Sequence, residues 1–191
     1  MSDNQNPDVT GEELHLRFLA GDKGAFEELV RLYERELSMF IRGMVHDTYE
    51  TKHLVIDTFA ELAVSGGNFE GRSTLKTYLF VIAKNLTIKL LKNRDRENHL
   101  SIDDVFRETF GETESPGEFL EREENKTLLL AAMLDLKPDY QMVLQLLYFE
   151  DMSYREAGKV MKKTERQIEG LAYRAKAALK KKLESEGLTY V

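Results

Sequence analysis

The sequence predicts an all-α protein made of two small helical units, and three observations carry that prediction. Apolar residues recur at spacings of three and four along most of the chain, while strand-like alternation is nearly absent. The prolines Pro7, Pro116 and Pro138 each fall just before or at the start of a helical pattern. Charge comes in blocks: residues 1–71 carry fourteen acids against six bases, 72–96 seven bases against one acid, 97–124 ten acids against two bases, and 125–191 twelve bases against nine acids. Two basic islands therefore sit in a chain of net charge -7, a pattern that suits contact with nucleic acid at two defined places rather than indiscriminate coating.

A chain of 191 residues suffices for one ordinary domain or two small ones. It has no cysteine, which removes disulfides and thiolate metal sites and fits a reducing cytosol. The N-terminal stretch MSDNQNPDVTGEE is polar and acidic, unlike a signal peptide, and no apolar run approaches the roughly 20 residues needed to span a bilayer. The expectation is a soluble, cytoplasmic protein with no direct membrane insertion.

Taken in order, Thr10 with Glu13 forms a capping box for a short helix carrying Leu14, Phe18 and Leu19, which Gly21 ends. Asp22 opens a longer helix in which Phe26, Leu29, Val30, Tyr33, Leu37, Phe40, Ile41 and Met44 keep helical spacing to about Val45. A third helix runs from about Thr48 to Val64 with Leu54, Val55, Phe59 and Leu62 inward, and Ser65-Gly66-Gly67 breaks it. After the polar loop NFEGRST, Ser73 is the expected cap of a fourth helix, whose Leu75, Leu79, Ile82, Leu86 and Leu90 form one stripe. Beside it, Tyr78, Asn85, Lys89, Lys92 and Arg96 form a basic row headed by an aromatic. A solvated face also explains a charge row, but aromatic plus basic is the composition on which single strands stack and have their phosphates neutralised.

Glu97–Glu114 is acidic and weakly periodic, which predicts a flexible linker. Ser115-Pro116-Gly117-Glu118 then starts a helix through Leu128, Leu129, Ala132, Met133 and Leu136, and Pro138 starts another with Met142, Val143, Leu146, Leu147 and Phe149. The stretch Ser153–Lys182 holds two helix starts eleven residues apart, Ser153 with Glu156 and Thr164 with Gln167. Ala157, Val160 and Met161 give the first helix an apolar face, and Ile168, Leu171 and Ala172 give one to the second. Gly158 sits where the helices approach. The arrangement predicts a helix-turn-helix, and its strongly basic composition inside an acidic protein points to DNA in the major groove.

With these segments in hand, the chain resembles the bacterial RNA polymerase sigma factors, specifically the extracytoplasmic-function (ECF) group of the sigma-70 family. GDKGAFEELVRLYERELSMFI resembles that family's opening helices, HLVIDTFAEL its polymerase-binding helix, and NFEGRSTLKTYLFVIAKNL its promoter-melting loop and helix. LKPDYQMVLQLLYFEDMSYREAGKVM followed by KKTERQIEGLAYRAKAALKKKL resembles its upstream-reading domain. The resemblance implies a sigma region 2-like domain at 1–96, the acidic linker at 97–114 and a sigma region 4-like helix-turn-helix domain at 115–191. It implies a protein that binds RNA polymerase core, at the clamp of the largest subunit and at the flap, and directs promoter-specific initiation, opposed by an anti-sigma factor. By the same resemblance Leu54, Val55, Asp57 and Phe59 lie on or support the clamp-binding helix. Asn68, Phe69, Arg72, Ser73, Thr74 and Lys76 line the loop that captures an unstacked base of the minus-ten element, and Tyr78, Asn85 and Lys89 continue that strand's path. Arg166, Gln167, Gly170, Tyr173 and Arg174 face the minus-thirty-five element, with Lys162 and Lys163 on phosphates.

Several positions depart from the family pattern. Lys52 and His53 replace an acidic pair, Ile56 a common polar residue, and Ala63 a frequent tryptophan. Lys162 stands where glycine is common in a left-handed conformation, at a cost of about 1 to 2 kcal/mol if that geometry is kept. Glu169 stands where a basic residue is common, and would repel a phosphate or accept from a cytosine amino group.

The same residues admit other functions. His46-Asp47 with His53 and Asp57 can be drawn as a metal cluster, and a solvated helix start explains them as well. No phosphate-cradling glycine loop or nucleophile elbow is present, so the expectation is no enzyme, no catalytic residue, no cofactor and no metal. The rival is a helix-turn-helix regulator that binds duplex DNA alone, as a dimer on a palindrome, without being a polymerase subunit.

Overall fold

The computed structural model describes residues 10–98, 129, 132, 133 and 135–185, and every regular element among them is helical. Helix α1 (Gly11–Leu19) starts where the Thr10 hydroxyl accepts the Glu13 amide at 3.2 Å. Helix α2 (Lys23–Val45) starts where Asp22 accepts the Ala25 amide at 3.3 Å. In both, a short oxygen-bearing side chain satisfies an amide that has no partner inside the helix. His46 ends α2 in the left-handed conformation (φ 57°), and Asp47 at once caps α3 (Thr48–Ser65) by accepting the Glu50 amide at 2.8 Å. The His46-Asp47 pair is thus a helix junction.

A 3-10 turn, Gly66–Asn68, follows α3 and leads through the loop to α4 (Leu75–Asn98). Its cap is Thr74 rather than Ser73: the Thr74 hydroxyl accepts the Thr77 amide at 3.2 Å. The Glu12 carboxylate of α1 takes the Leu75 amide at 2.7 Å, which also places a negative charge at the positive end of the helix dipole. Helix α4 runs to Asn98. The acidic segment from 99 to 114 and the start expected at Ser115 lie outside the described residues, whereas Leu129, Ala132 and Met133 are helical.

In the first half, α2 buries Leu29, Leu37, Phe40 and Ile41 completely, against Leu54, Val55, Phe59 and Leu62 of α3 and Leu75, Leu79 and Phe80 of α4. The Phe40 and Phe80 rings lie 4.9 Å apart. Each such side chain contributes about 1.5 to 3 kcal/mol on leaving water. In the second half, Pro138 opens α5 (Pro138–Tyr148), followed by α6 (Tyr154–Met161) and α7 (Glu165–Ser185). Six consecutive α5 residues, Gln141–Leu146, are buried, because α6 and α7 pack on one side of the helix and α2 on the other.

That last contact joins the halves. Helix α6 also packs against α4, and a single apolar cluster runs from Leu14 of α1 to Ala175 of α7. Helix α4 is therefore buried on two sides. Its leucines face α2 and α3, while Lys84, buried at 6 % exposure, reaches the end of α6 in the other half.

Candidate nucleic-acid interface

The helix-turn-helix is built by two reciprocal caps. Ser153 accepts the Glu156 amide at 3.2 Å while Glu156 accepts the Ser153 amide at 3.0 Å. Gln167 likewise accepts the Thr164 amide at 2.8 Å and Thr164 the Gln167 amide at 3.3 Å. Between them Lys162 takes the left-handed conformation, φ 55° and ψ 45°, so the geometry that favours glycine is kept with a lysine in it. The Lys163 amide donates to the Gly158 carbonyl at 2.9 Å. A Cβ on Gly158 would stand 2.6 Å from the Lys163 carbonyl oxygen, which is why this turn requires glycine there.

Ile168, Leu171, Ala172 and Ala175 tie α7 to the core and turn Arg166, Glu169, Tyr173 and Arg174 outward, Tyr173 at 77 % exposure. Lys163, Arg166, Gln167, Gly170, Leu171 and Arg174 line a groove of about 280 Å³. The Arg174 guanidinium lies over the bare backbone of Gly170, 3.5 Å from where a Cβ would be. Three cations line the groove; Lys163 is paired with Asp139 at 3.3 Å, and the guanidinium forks of Arg166 and Arg174 suit phosphates or the guanine edge. Lys162 is exposed beside it.

The first half presents a different surface. Asn85, Lys89 and Lys92 of the basic row are exposed, and Tyr78 at its head is half-buried. The Arg96 side chain lies outside those described. Phe69 is half-buried, edge-on to His15 with centroids 5.6 Å apart and 5.2 Å from the Tyr78 ring. Asn68 and Arg72 are exposed, Ser73 is half-buried, and Arg72 pairs with Glu70 at 2.6 Å. Thr74 and Lys76 face the second half: the Thr74 hydroxyl donates to Glu156 at 3.3 Å, and the Lys76 ammonium lies 3.0 Å from Glu36 and 3.3 Å from Glu150.

On α3, Leu54, Val55 and Phe59 are core residues at 5 % exposure each, while Asp57 is exposed. The outward apolar residues of that helix are Tyr49, Ile56 and Val64, at 71, 63 and 88 % exposure, and the Tyr49 ring lies 4.3 Å from that of His53. Sequence reading placed Ile56 only as a departure from a pattern. Its exposure was readable from helical spacing, since it falls off the inward stripe of Leu54, Val55, Phe59 and Leu62. Among the described residues, no group of three or more His, Cys, Asp or Glu side chains is arranged to hold a metal ion. Among the same residues, no helix is long and apolar enough to cross a membrane.

Burial and hydrogen bonds tune the charged groups. The hydrogen bond from Ser153 holds the Glu156 carboxyl below its ordinary range. Burial pushes Glu150 up, against the opposing charge of Lys76, and pushes Lys84 down. Burial next to Glu12 and Glu36 raises the Tyr33 phenol to about 12.

A helical chain with a helix-turn-helix at one end and an aromatic-headed basic helix at the other belongs to the class of DNA-binding transcription factors. Comparison with known proteins narrows that class. The family model described as sigma-70 region 2 matches residues 29–97 and that of sigma-70 region 4 matches residues 126–179, together more than half of the chain. The chain belongs to the sigma-70 family, as a sigma factor of the ECF group, and its function is to direct promoter-specific initiation by RNA polymerase. It is 29 % identical to the RNA polymerase sigma-H factor of Pseudomonas aeruginosa over 91 % of this chain and 93 % of that one. It is 26 % identical to the ECF RNA polymerase sigma factor SigM of Bacillus subtilis over 81 % of this chain and 92 % of the relative. Among solved structures, the sigma factor RpoE bound to the anti-sigma factor NepR from Bartonella quintana shares the fold, with a TM-score of 0.71, 21 % identity and coverage of 83 % of this chain and 96 % of that one. CnrH in complex with the cytosolic domain of CnrY does so with a TM-score of 0.68, 21 % identity and coverage of 93 % and 99 %.

Proposed function

We propose that the two halves divide promoter recognition between them. Residues 1–96 hold the polymerase clamp through the outward face of α3, with Asp57, Ile56 and Val64 in contact and Leu54, Val55 and Phe59 as their support. The loop and α4 then take the separated minus-ten strand: Asn68, Phe69, Arg72, Ser73, Thr74 and Lys76 at the loop, and Tyr78, Asn85 and Lys89 along the helix. Residues 115–191 read the minus-thirty-five duplex, with Arg166, Gly170, Tyr173 and Arg174 toward base edges and Lys162 and Lys163 on phosphates. Gln167 commits its carbonyl oxygen to the Thr164 amide and keeps α7 in register, leaving its amino group as a donor. Residues 97–114 join the halves.

The observation that carries this reading is the pair of outward cationic surfaces of different make, a groove between guanidinium groups on α7 and an aromatic-headed row on α4. The first suits a duplex and the second an unstacked strand. The two solved structures named above are each bound to a second protein, in one case named as an anti-sigma factor, and this chain is proposed to have a protein antagonist too. It acts in the cytoplasm and carries no catalytic residue of its own. Co-purification with RNA polymerase core tests the assignment: the chain is expected to bind core, and Ile56→Asp to lose core while keeping its fold. Binding of a palindromic duplex by a dimer that ignores core would favour the regulator without a polymerase role.

A further inference from the structure

One acid on α7 has no role inside the protein. Among the described residues of the second half, Asp135, Asp139, Glu150 and Glu184 each pair with a lysine, and Glu156 caps α6. Glu165 lies in the first turn of α7, where the helix dipole favours an acid, and Asp151 takes the left-handed conformation (φ 51°) in the turn between α5 and α6. Glu169 has none of these uses. It is exposed, and among the described residues it makes no hydrogen bond or ion pair.

Its place is the part of a helix-turn-helix that meets base edges, near the start of the second helix. At 100° per residue, about 60° of arc separates Glu169 from Arg166 and about 40° from Tyr173, both exposed. Ile168, Leu171, Ala172 and Ala175 point the other way, into the core. Gly170, on the same outward face, has no side chain to hold the helix off the bases, so its neighbours reach deeper into the groove.

A carboxylate carried there meets a polyanion with one charge per about 1.7 Å of axis, and only a donor on a base edge compensates. The major groove offers two such donors, the amino groups of cytosine and adenine, whereas guanine and thymine turn acceptors toward it. Adenine sets its N7 acceptor beside the amino group. That pair suits an amide, which donates and accepts, and repels the second oxygen of a carboxylate, which only accepts. Cytosine presents its amino group with no acceptor next to it. Arg166, three residues before Glu169 on the same face, supplies a counter-charge and a fork for the guanine of a neighbouring pair.

We propose that Glu169 is a specificity-determining residue of the upstream contact: its carboxylate accepts a hydrogen bond from the amino group of a cytosine in the major groove and fixes one C·G pair of the minus-thirty-five element. Its charge weakens binding to every duplex and weakens it least where that cytosine stands, so the residue acts by rejecting wrong sequences. The inference rests on the assignment of α7 to the minus-thirty-five duplex.

The test uses RNA polymerase core reconstituted with the full chain as wild type, Glu169→Gln, Glu169→Ala or Arg174→Ala. Each complex selects duplexes from a pool of random sequence, and competition binding then compares the selected duplex with its single-pair variants. Glu169 is exposed and unpartnered, so its two variants should melt with the wild type. The wild type is expected to select a C·G pair at one upstream position, Glu169→Gln to select A·T there, and Glu169→Ala to select no base there, with the other positions unchanged. Placing T·A at that position should weaken wild-type binding about tenfold and leave Glu169→Ala binding within about twofold.

Identical base preferences in the wild type and both Glu169 variants would overturn the inference, as would a gain in Glu169→Ala that is equal for every sequence. Arg174→Ala separates this failure from that of the assignment. If it erases the upstream preference while the Glu169 variants change none of it, α7 reads the element and Glu169 does not. If it also leaves the preference intact, the assignment of α7 falls and the inference falls with it.

Discussion

Replacing Gly158 by alanine puts a Cβ 2.6 Å from the Lys163 carbonyl oxygen, well inside the about 3.5 Å at which nonbonded atoms settle. The obstacle is backbone and cannot rotate away, so the turn has to retreat by about 0.9 Å. Overpacking of this sort costs about 1 to 3 kcal/mol, and a backbone obstacle belongs at the upper end. Exchanging glycine for alanine inside a helix returns about 1 kcal/mol. The net loss is about 1 to 2 kcal/mol, which lowers the melting temperature by about 2 to 8 °C in a chain of this size. The retreat also displaces the start of α7, through the bond from the Lys163 amide to Gly158 and the Thr164-Gln167 cap. One misaligned bidentate contact is worth about 1 to 3 kcal/mol, so affinity for a minus-thirty-five duplex should fall about tenfold. Thermal melting and duplex binding are measured on Gly158→Ala beside Gly67→Ala, where a Cβ meets nothing within 4 Å. Gly67→Ala should match the wild type. A Gly158→Ala protein that melts and binds like the wild type would show that the turn does not require glycine at 158.

Tyr78→Ala and Lys89→Ala should impair promoter opening more than initial duplex binding, since stacking of an unpaired base is worth about 1 to 3 kcal/mol and arises only once strands separate. Arg174→Ala should show the reverse, and permanganate reactivity together with duplex binding distinguishes them. Lys162→Gly should shift two observables in opposite senses. Relief of the left-handed lysine, about 1 to 2 kcal/mol, outweighs the extra chain entropy of glycine, about 0.5 to 1 kcal/mol, so the protein melts slightly higher. Loss of the phosphate contact meanwhile lowers the log-log salt slope of duplex binding by about 0.9. For pH, the Ser153 hydrogen bond holds the Glu156 carboxyl below its ordinary 4.5, so its stabilisation is present above 4.5 and fades as pH falls through the lower folded value. Glu150, raised by burial, acts in the opposite sense and above that window, gaining stability as pH falls through its raised value toward 4.5. The wild type should therefore lose more stability on acidification than Glu156→Gln, which keeps the cap without the titration. Equal acid profiles would remove Glu156 from that role.

Features set by neighbours in sequence were legible, and those set by distant contacts were not. Thr10, Asp22, Ser153-Glu156 and Thr164-Gln167 all cap the helices they were expected to cap, because capping is decided within three residues. The start of α4 was misplaced by one residue because Ser73 and Thr74 are both competent caps. The Glu12 carboxylate on the Leu75 amide, from an element 63 residues away, helps to fix the helix start after Thr74. The leucine stripe of α4 was readable, but the burial of Phe80, Ala83, Lys84 and Thr87 was not, since a helix buried on two sides loses its single apolar periodicity. For the same reason Lys76 and Glu150, far apart in sequence, gave no sign of being paired. The helix-turn-helix and its basic face were plain from composition. The polymerase role came from five segments in family order and not from any one residue pattern.

One chain is proposed to serve both promoter elements as a subunit of RNA polymerase. Footprinting of a cognate promoter with purified core tests it most directly, using the wild-type chain, Tyr78→Ala and Arg174→Ala. Protection of both elements is expected only when core and chain are present together, with loss of the open minus-ten region in Tyr78→Ala and loss of upstream protection in Arg174→Ala. Protection of a palindromic duplex by the chain alone, unchanged by core, would contradict it.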